Sequence, residues 1–465
     1  MDPNFESSTP LAARSEDPEK ALLSPHSPPS DYAVYQTNGV EEVLPQDRRR
    51  IVRRRRLCHF AACTLLLFLF WHPLVDPVAS VFRKHFSKED LSVDPHWMQE
   101  VMSSPSDCTD PVKWRYDPVD NHTDWPYHAH ASLAIPIDAE ELLFKAEGSR
   151  AHGTFEVSQS TNISTEAVVD IDVAYRSEDA LAEATVCHLK PSENKHGLGI
   201  FTERWHHPEP HRQLRFRVHV HLPATGKDDP RTINAFNTHL PLFAHHLSKL
   251  ADTVVFKSIS LATSNSALRA DSLRAEIGKL RSSNGKIEGT FNTSESLELR
   301  TSNAPIHVTA NLINSNKDAG TVLIADTSNG AIQAHVGLFA HSVDGAFRVN
   351  TRTTNAVARV TVTDAPANSL LNASAVSSNA PVSFEAHGAF EGTFELYSAR
   401  FSPPTVKQPH PVEDPLGKGR NRTVQVNPIG RGAIRGEVDW EPKHEKAKSG
   451  HIRLRTSNAG ASLVL

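Results

Sequence analysis

The side chains with chemical potential come in groups. Of 26 histidines, the dense sets are His128/His130, His206/His207/His211, His219/His221 and His239/His245/His246. Histidines two apart on a strand point to the same side, which supplies two of the three or four ligands that a metal needs. No cysteine or carboxylate stands at a spacing that completes such a set, so these histidines read as polar strand faces, and neither metal nor cofactor is expected. Protonation in an acidic compartment is the other role that their ordinary titration range suggests. Glycosidic cleavage commonly needs two positioned carboxylates. Glu288, Glu298 and Asp326 stand singly in different segments, and Asp228-Asp229 precedes Pro230 as a turn. No Gly-x-Ser-x-Gly elbow, phosphate-cradling glycine loop or zinc-binding helix motif occurs. The expectation is a chain without catalytic residues, hence not an enzyme.

Modification chemistry is better represented. Asn-x-Ser/Thr acceptors for N-glycosylation occur at Asn121, Asn162, Asn292, Asn372 and Asn421. Of the four cysteines, Cys58 and Cys63 fall in an apolar run, leaving Cys108 and Cys187 as a pair that an oxidising compartment would bridge; two inert thiols are the alternative.

That apolar run, residues 57–75, carries no Asp, Glu, Lys or Arg. As a helix its 19 residues would span roughly 28 Å, enough for a transmembrane helix. Arg48–Arg50 and Arg53–Arg56 precede it, so the positive-inside rule places the N-terminus in the cytosol and the remainder across the membrane. The expected protein is a type II, single-pass membrane protein with a signal-anchor. All five glycosylation acceptors follow the span, as a lumenal or extracellular C-terminal part requires. Residues 1–56 form the tail with its Arg cluster; rich in Pro, Ser and acidic residues up to residue 47, it is expected to be disordered. Residues 76–126 are expected to be a lumenal stalk. Overall, 49 basic against 54 acidic residues leave a net charge of −5, which gives no nucleic-acid footprint.

The elements that must position these groups are strands. Within residues 127–252, a β-rich module, apolar alternation predicts strands over Ala131–Pro136, Glu141–Glu147, Gly153–Ser158, Ala167–Tyr175 and Gln213–Pro223. Phe243, Leu247 and Leu250 suggest a short helix over Leu240–Ala251. From residue 253 to 465 the chain repeats around Asn265, Asn284, Asn303, Asn329, Asn355, Asn379 and Asn458. Two Ser/Thr residues precede each asparagine, and a Gly, Ala or Ser follows, as a left-handed turn position would favour.

Four residues after each asparagine stands a polar residue, Arg269, Glu288, His307, Gln333, Arg359, Ser383 or Ser462, flanked by apolar or tiny residues. Each unit is therefore strand, turn, strand. A period of 19 to 26 residues with this alternation points to a mainly β architecture with a β-solenoid, parallel β-helix-like. An antiparallel sandwich with Asn-Gly hairpins is the alternative. Stacking is preferred, because identical turns in register can form ladders. The 79-residue gap from Asn379 to Asn458 holds a Pro-rich insertion near 401–420, then strand-like Thr423–Asn427 and Ala433–Trp440, with Ala461–Leu465 as a final buried strand.

Val220-His221-Leu222-Pro223, followed by these repeated units, resembles the domain of unknown function labelled putative adhesin in bacteria and fungi, over roughly residues 130–465. It resembles fungal members that add a cytosolic tail and one membrane span. The resemblance implies an extracytoplasmic β-solenoid with no established activity and carries over no catalytic residue. The function expected is that of a membrane-anchored, adhesin-like binding or structural protein. Its partners would be the lipid bilayer through residues 57–75 and a glycan, cell-wall polymer or protein ligand. A carbohydrate-active enzyme on a β-helix scaffold is the alternative.

Overall fold

Strict two-residue alternation drives the chain into strands that bury one side. Leu214–Leu222 sends Leu214, Phe216, Val218, Val220 and Leu222 inward and turns Arg215, Arg217, His219 and His221 outward. The computed structural model describes residues 105–204, 210–224, 229–315, 320–341, 345–408, 411–442 and 449–465. The expected tail at 1–56, the span at 57–75 with Cys58 and Cys63, and most of the stalk lie outside the described residues, as do His206, His207 and Asp228. Among the described residues no helix is long and apolar enough to cross a membrane.

The described region is mainly β, with its strands arranged in two rows. In the repeat region, the strand before each turn asparagine joins the first row and the strand after it joins the second. The first row runs Glu141–Glu147, Arg231–His239, Val254–Ala262, then through successive repeats to Thr321–Asp326, Ala346–Arg352, Leu370–Ser377 and Gly450–Thr456, all in parallel. The second row runs Ala151–Gln159, Phe243–Lys249, then to Ile306–Asn314, Ile332–Ala340, Ala358–Asp364, Val382–Glu385 and Ala461–Val464, again in parallel. Leu268–Arg281 serves both rows: its first half pairs with Phe243–Lys249 and its second with Val254–Ala262. Register shifts at Ala270/Leu273 and Ala275/Ile277 let the chain turn the corner. Parallel pairing of successive repeats excludes the hairpin sandwich for this part of the chain.

The parallel stack extends back before residue 253, since Glu141–Glu147 and Ala151–Gln159 pair directly with the strands at 231–239 and 243–249. Antiparallel strands close both ends of the first row: Thr185–Ser192 against Lys195–Phe201, and Ala433–Glu441 against Gly392–Tyr397. Such ends give an edge a partner that does not continue the repeat. Within the span expected as stalk, Cys108–Pro111 and Arg115–Tyr116 already pair with the sheet.

Residues 240–251 do not form the expected helix; Phe243–Lys249 is a strand that buries Phe243, His245 and Leu247. A spacing of four satisfies both periods, and the buried histidine between the two apolar residues disguised the alternation. The final coil occupies an internal place. Gly450–Thr456 lies between Leu370–Ser377 and Gly392–Tyr397, and Ala461–Val464 between Val382–Glu385 and Thr405–Lys407. The coil earlier in sequence thus caps the one that ends the chain. Its return segment is pinned by a buried cluster in which Arg420 donates to Glu391 (2.8 Å) and Asp414 (2.9 Å), with its guanidinium over the Trp440 ring. Against the desolvation of the Asp414 carboxyl, the Arg420 guanidinium and three backbone N–H groups hold it far below the usual carboxylate range.

Apolar side chains from both rows fill the interior. Phe144, Phe155, Phe236 and Phe256 make a cluster of tilted and edge-on rings there, with centroids 5.0 to 6.3 Å apart, a spacing typical of favourable aromatic pairs.

Candidate functional site

Each turn asparagine sits in an exposed column, and each after the first donates to the one before it. The Nδ2 of Asn284 donates to the Oδ1 of Asn265 (2.7 Å), and the chain continues through Asn303, Asn329, Asn355 and Asn379 to Asn458, at 2.6 to 2.7 Å per step. The last step links residues 79 apart in sequence and marks the inserted coil. Beneath it runs a second column. The Ser/Thr two residues before each asparagine turns its hydroxyl to a carbonyl of the preceding coil, as Thr301 does to Gly285 (3.3 Å) and Thr456 to Ala380 (3.1 Å).

None of the seven asparagines takes a positive φ; among the described non-glycine residues only Asn368 does. The left-handed turn expectation is therefore corrected. The chain rounds a corner and pairs with the coil below: the N–H groups of Ser302 and Asn303 both donate to the Ser283 carbonyl. The small residue that follows answers a close approach instead. A Cβ on Gly285 would lie 1.6 Å from the Ser266 carbonyl oxygen.

The ladder has a direction, and that makes it testable. Asn265 only accepts within it, whereas Asn458 only donates. Asn265→Asp keeps its acceptor and should cost less than about 0.5 kcal/mol; Asn458→Asp replaces an N–H donor by a second oxygen and should cost roughly 1–2 kcal/mol. Denaturant midpoints of the two variants check this. Equal losses would contradict the ladder's polarity.

The outward positions form long rows across the strands. On the second row, Ser132, Asp170, His219, Glu156, His246, Arg269, Glu288, His307, Gln333, Arg359, Ser383, Ser462 and Thr405 stand side by side in register. At about 4.8 Å per strand this row is roughly 55–60 Å long. Acidic and basic groups are interspersed along its central part. Asp271, one position over, receives His246 (3.3 Å) and Arg269 (3.2 Å), and Lys286 pairs with Glu288. A shallow groove lies here between Arg269, Glu288, His307 and His335. Among the strands at the N-terminal side of the stack, a cleft of ≈ 570 Å³ is lined by Trp114, Leu181 and the stacked rings of Tyr127 and Tyr175.

The histidine groups separate into different environments. His130 lies between Asp172 (Nδ1, 2.5 Å) and Asp117 (Nε2, 2.7 Å), and hydrogen bonds to these two carboxylates raise its pKa. The His219 and His221 rings lie against each other at 3.8 Å, tilted by 38°; Ser158 holds the first and Asp170 the second. His245 is not on a polar face. It is buried, donates from Nδ1 to the Phe243 carbonyl (3.1 Å) and accepts the Thr238 hydroxyl at Nε2 (2.9 Å), and burial pushes its pKa down to about 4. Among the described residues no group of three or more His, Cys, Asp or Glu could hold a metal ion.

Glu298 and Asp326, separate in sequence, are neighbours on the first row. Arg300 contacts both (2.9 and 3.6 Å), and Arg281 also reaches Glu298 (2.5 Å). Burial raises the Asp326 pKa, against the pull of Arg300 and Arg352. Glu288 lies on the other row. Of the glycosylation acceptors, Asn121, Asn162, Asn372 and Asn421 are exposed, while Asn292 is half-buried with its Oδ1 accepting from Asn311 (2.8 Å). Cys108 and Cys187 are bridged, with Cα atoms 5.6 Å apart.

Sequence reasoning missed a set of first-row arginines. Arg281, Arg300, Arg352 and Arg455 each stand three residues before a turn asparagine, so the same repeat alignment carried the signal.

No protein-family model and no curated protein matches the chain. Among solved structures, a putative adhesin from Bacteroides fragilis matches 55% of this chain and 96% of its own, with 9% identity and a TM-score of 0.27. A putative adhesin from Parabacteroides merdae matches 72% and 96%, with 10% identity and a TM-score of 0.26. A putative cell adhesion protein from Clostridium sporogenes matches 72% and 98%, with 7% identity and a TM-score of 0.15. Likenesses at such scores carry no argument, so any functional reading rests on this chain's own geometry.

Proposed function

We propose that the protein is a membrane-anchored, extracytoplasmic β-solenoid that works as an adhesin-like binding or structural module through its outward rows. The observation that carries this reading is the uninterrupted second-row line from Ser132 to Thr405, which presents polar side chains at strand spacing over the length of the stack. A stacked surface of this kind suits an extended ligand, a glycan or cell-wall polymer before a small molecule. The apolar run at 57–75 behind seven arginines supports the anchor, and the Cys108–Cys187 bridge accords with an oxidising compartment.

The test is binding of the full-length protein to arrayed glycans and insoluble cell-wall polymers, with product analysis on every hit. Saturable binding without released fragments is expected. Released fragments that disappear in Glu298→Gln would favour the alternative, a carbohydrate-active enzyme using the Glu298 and Asp326 pair. The anchor reading also predicts that the C-terminal part is protease-protected in sealed microsomes and shifts in size on endoglycosidase treatment; degradation there would remove it.

A further inference from the structure

Besides the mixed-charge second row, the first row carries a basic trough that nothing above uses. Its floor is the outward side of Leu370–Ser377, where Asn372, Ser374 and Val376 are short side chains. On one flank, Ala346–Arg352 places Arg348 in register with Asn372 and Arg352 with Val376. On the other, Gly450–Thr456 places Arg453 in register with Ser374 and Arg455 with Val376. The flanking strands are two spacings apart, about 10 Å. Two arginines therefore stand on each side of a channel the width of one polymer chain.

The charges are arranged as much as they are present. Glu395, one strand beyond, is largely covered and accepts from Arg453 (3.4 Å) and Arg435 (3.0 Å), and it also receives the Tyr397 hydroxyl (3.3 Å). A single carboxylate thus orients two guanidinium groups that each keep most of their five N–H donors for another acceptor. Arg453 and Arg435 remain more than half exposed. Arg352 is exposed as well, with Asp326 its neighbour in register on the far side from the trough.

We infer that this trough binds a linear acidic polysaccharide, one whose carboxylate or sulfate groups recur along the chain and meet the arginine forks on either side. The inference deepens the binding-module reading and rests on it. Guanidinium forks match the planar or trigonal oxygens of such groups and hold them bidentately. Neutral glycans and single-stranded nucleic acids would want aromatic platforms, and among the described residues no Phe, Tyr or Trp lines the channel. A lipid surface would want exposed apolar side chains, and the apolar groups of the floor, Leu370 and Val376, are both half-buried. Asn372 gives the trough a control point: its acceptor sequence Asn372-Ala373-Ser374 lies on the floor, so a glycan there would fill the channel.

The experiment uses the full-length protein and its Asn372→Gln variant, with polygalacturonate, heparin and neutral dextran as probes. Binding to polygalacturonate or heparin but not to dextran is expected, in Asn372→Gln if not in the glycosylated chain. It should weaken with added salt, and by about tenfold in Arg352→Gln or Arg453→Gln. Arg274→Gln, exposed at the corner between the rows, is the control and should bind normally. Which polyanion binds more tightly assigns the carboxylate or the sulfate. Binding that both trough variants leave intact would overturn the inference, as would duplex DNA or phosphatidylserine vesicles binding as tightly as the polysaccharides. Dextran or a protein ligand bound without any polyanion would end the trough's assignment and leave the binding-module reading standing. No ligand on any array would remove both.

Discussion

Replacing both Cys108 and Cys187 by Ala is expected to lower the unfolding free energy by about 4 kcal/mol. The bridge closes 79 residues of chain, and the loop-entropy relation gives roughly 4–5 kcal/mol for a loop of that size, within the usual 2–5 kcal/mol for a native disulfide. Location adds to length. Cys108–Pro111 is an edge strand that touches the sheet through Thr185–Ser192, so the covalent link holds an element that few contacts would otherwise retain. Cys187 is fully buried in a small satellite core with Leu143, Leu189 and Phe201, against which Cys108 packs. Alanine is the right substitute, because serine would bury a hydroxyl there. Urea unfolding of the oxidised protein, the reduced protein and the double variant checks the expectation. The last two should coincide at a lower midpoint; if all three coincide, the bridge adds nothing to stability.

Much of the stack was legible because its turns use the same few residues. Asn265 to Asn458 could be aligned without any structure, since each of the five inner ones must offer both a donor and an acceptor at one height of the ladder. Even the 79-residue gap was informative. The ladder passes directly from Asn379 to Asn458, so the intervening residues had to leave the stack and return beyond it. Other strands were hidden for physical reasons. Thr185–Ser192 contains Pro191, and Lys195–Phe201 contains Gly197 and Gly199, residues of low strand preference; a Cβ on Gly197 would lie 1.6 Å from the Leu143 carbonyl oxygen.

The basic trough was hidden by distance along the chain. Arg352 and Arg453 come from strands about a hundred residues apart, and they flank one channel only because the final coil inserts beside Leu370–Ser377. Glu298 and Asp326 looked isolated for the same cause, since a parallel stack makes neighbours of positions a full repeat apart. Outward chemistry in such a fold is written across the repeats. Reading each repeat along its own length shows the core side well and the surface side poorly.

Acidification should destabilise the fold through His245, by about 3 kcal/mol in all. The sign follows from where the proton cannot go. Its pKa is pushed down to about 4 in the folded protein by burial, against an ordinary value of 6.5 in the unfolded chain. Between pH 6.5 and 4 the unfolded chain takes up a proton that the folded chain refuses, so stability falls as pH falls across that window. Below pH 4 both states carry the proton and this contribution is complete, at roughly 1.4 kcal/mol for each pH unit between the two values. Nε2 has no room for a proton while it accepts the Thr238 hydroxyl, and the Phe155 ring lies 5.3 Å away. His152, His219 and His239 are lowered by burial and act in the same direction; His130, raised by its two aspartates, acts against them. Urea midpoints of the unaltered protein and His245→Leu, taken from pH 7.5 to 4, isolate the one group. The variant begins less stable at pH 7.5, because the Thr238 hydroxyl loses its acceptor, but its stability should decline less steeply, so the two curves converge in acid. Parallel curves would mean that the buried ring takes a proton in place, and that the acid sensitivity of the fold comes from its other titrating groups.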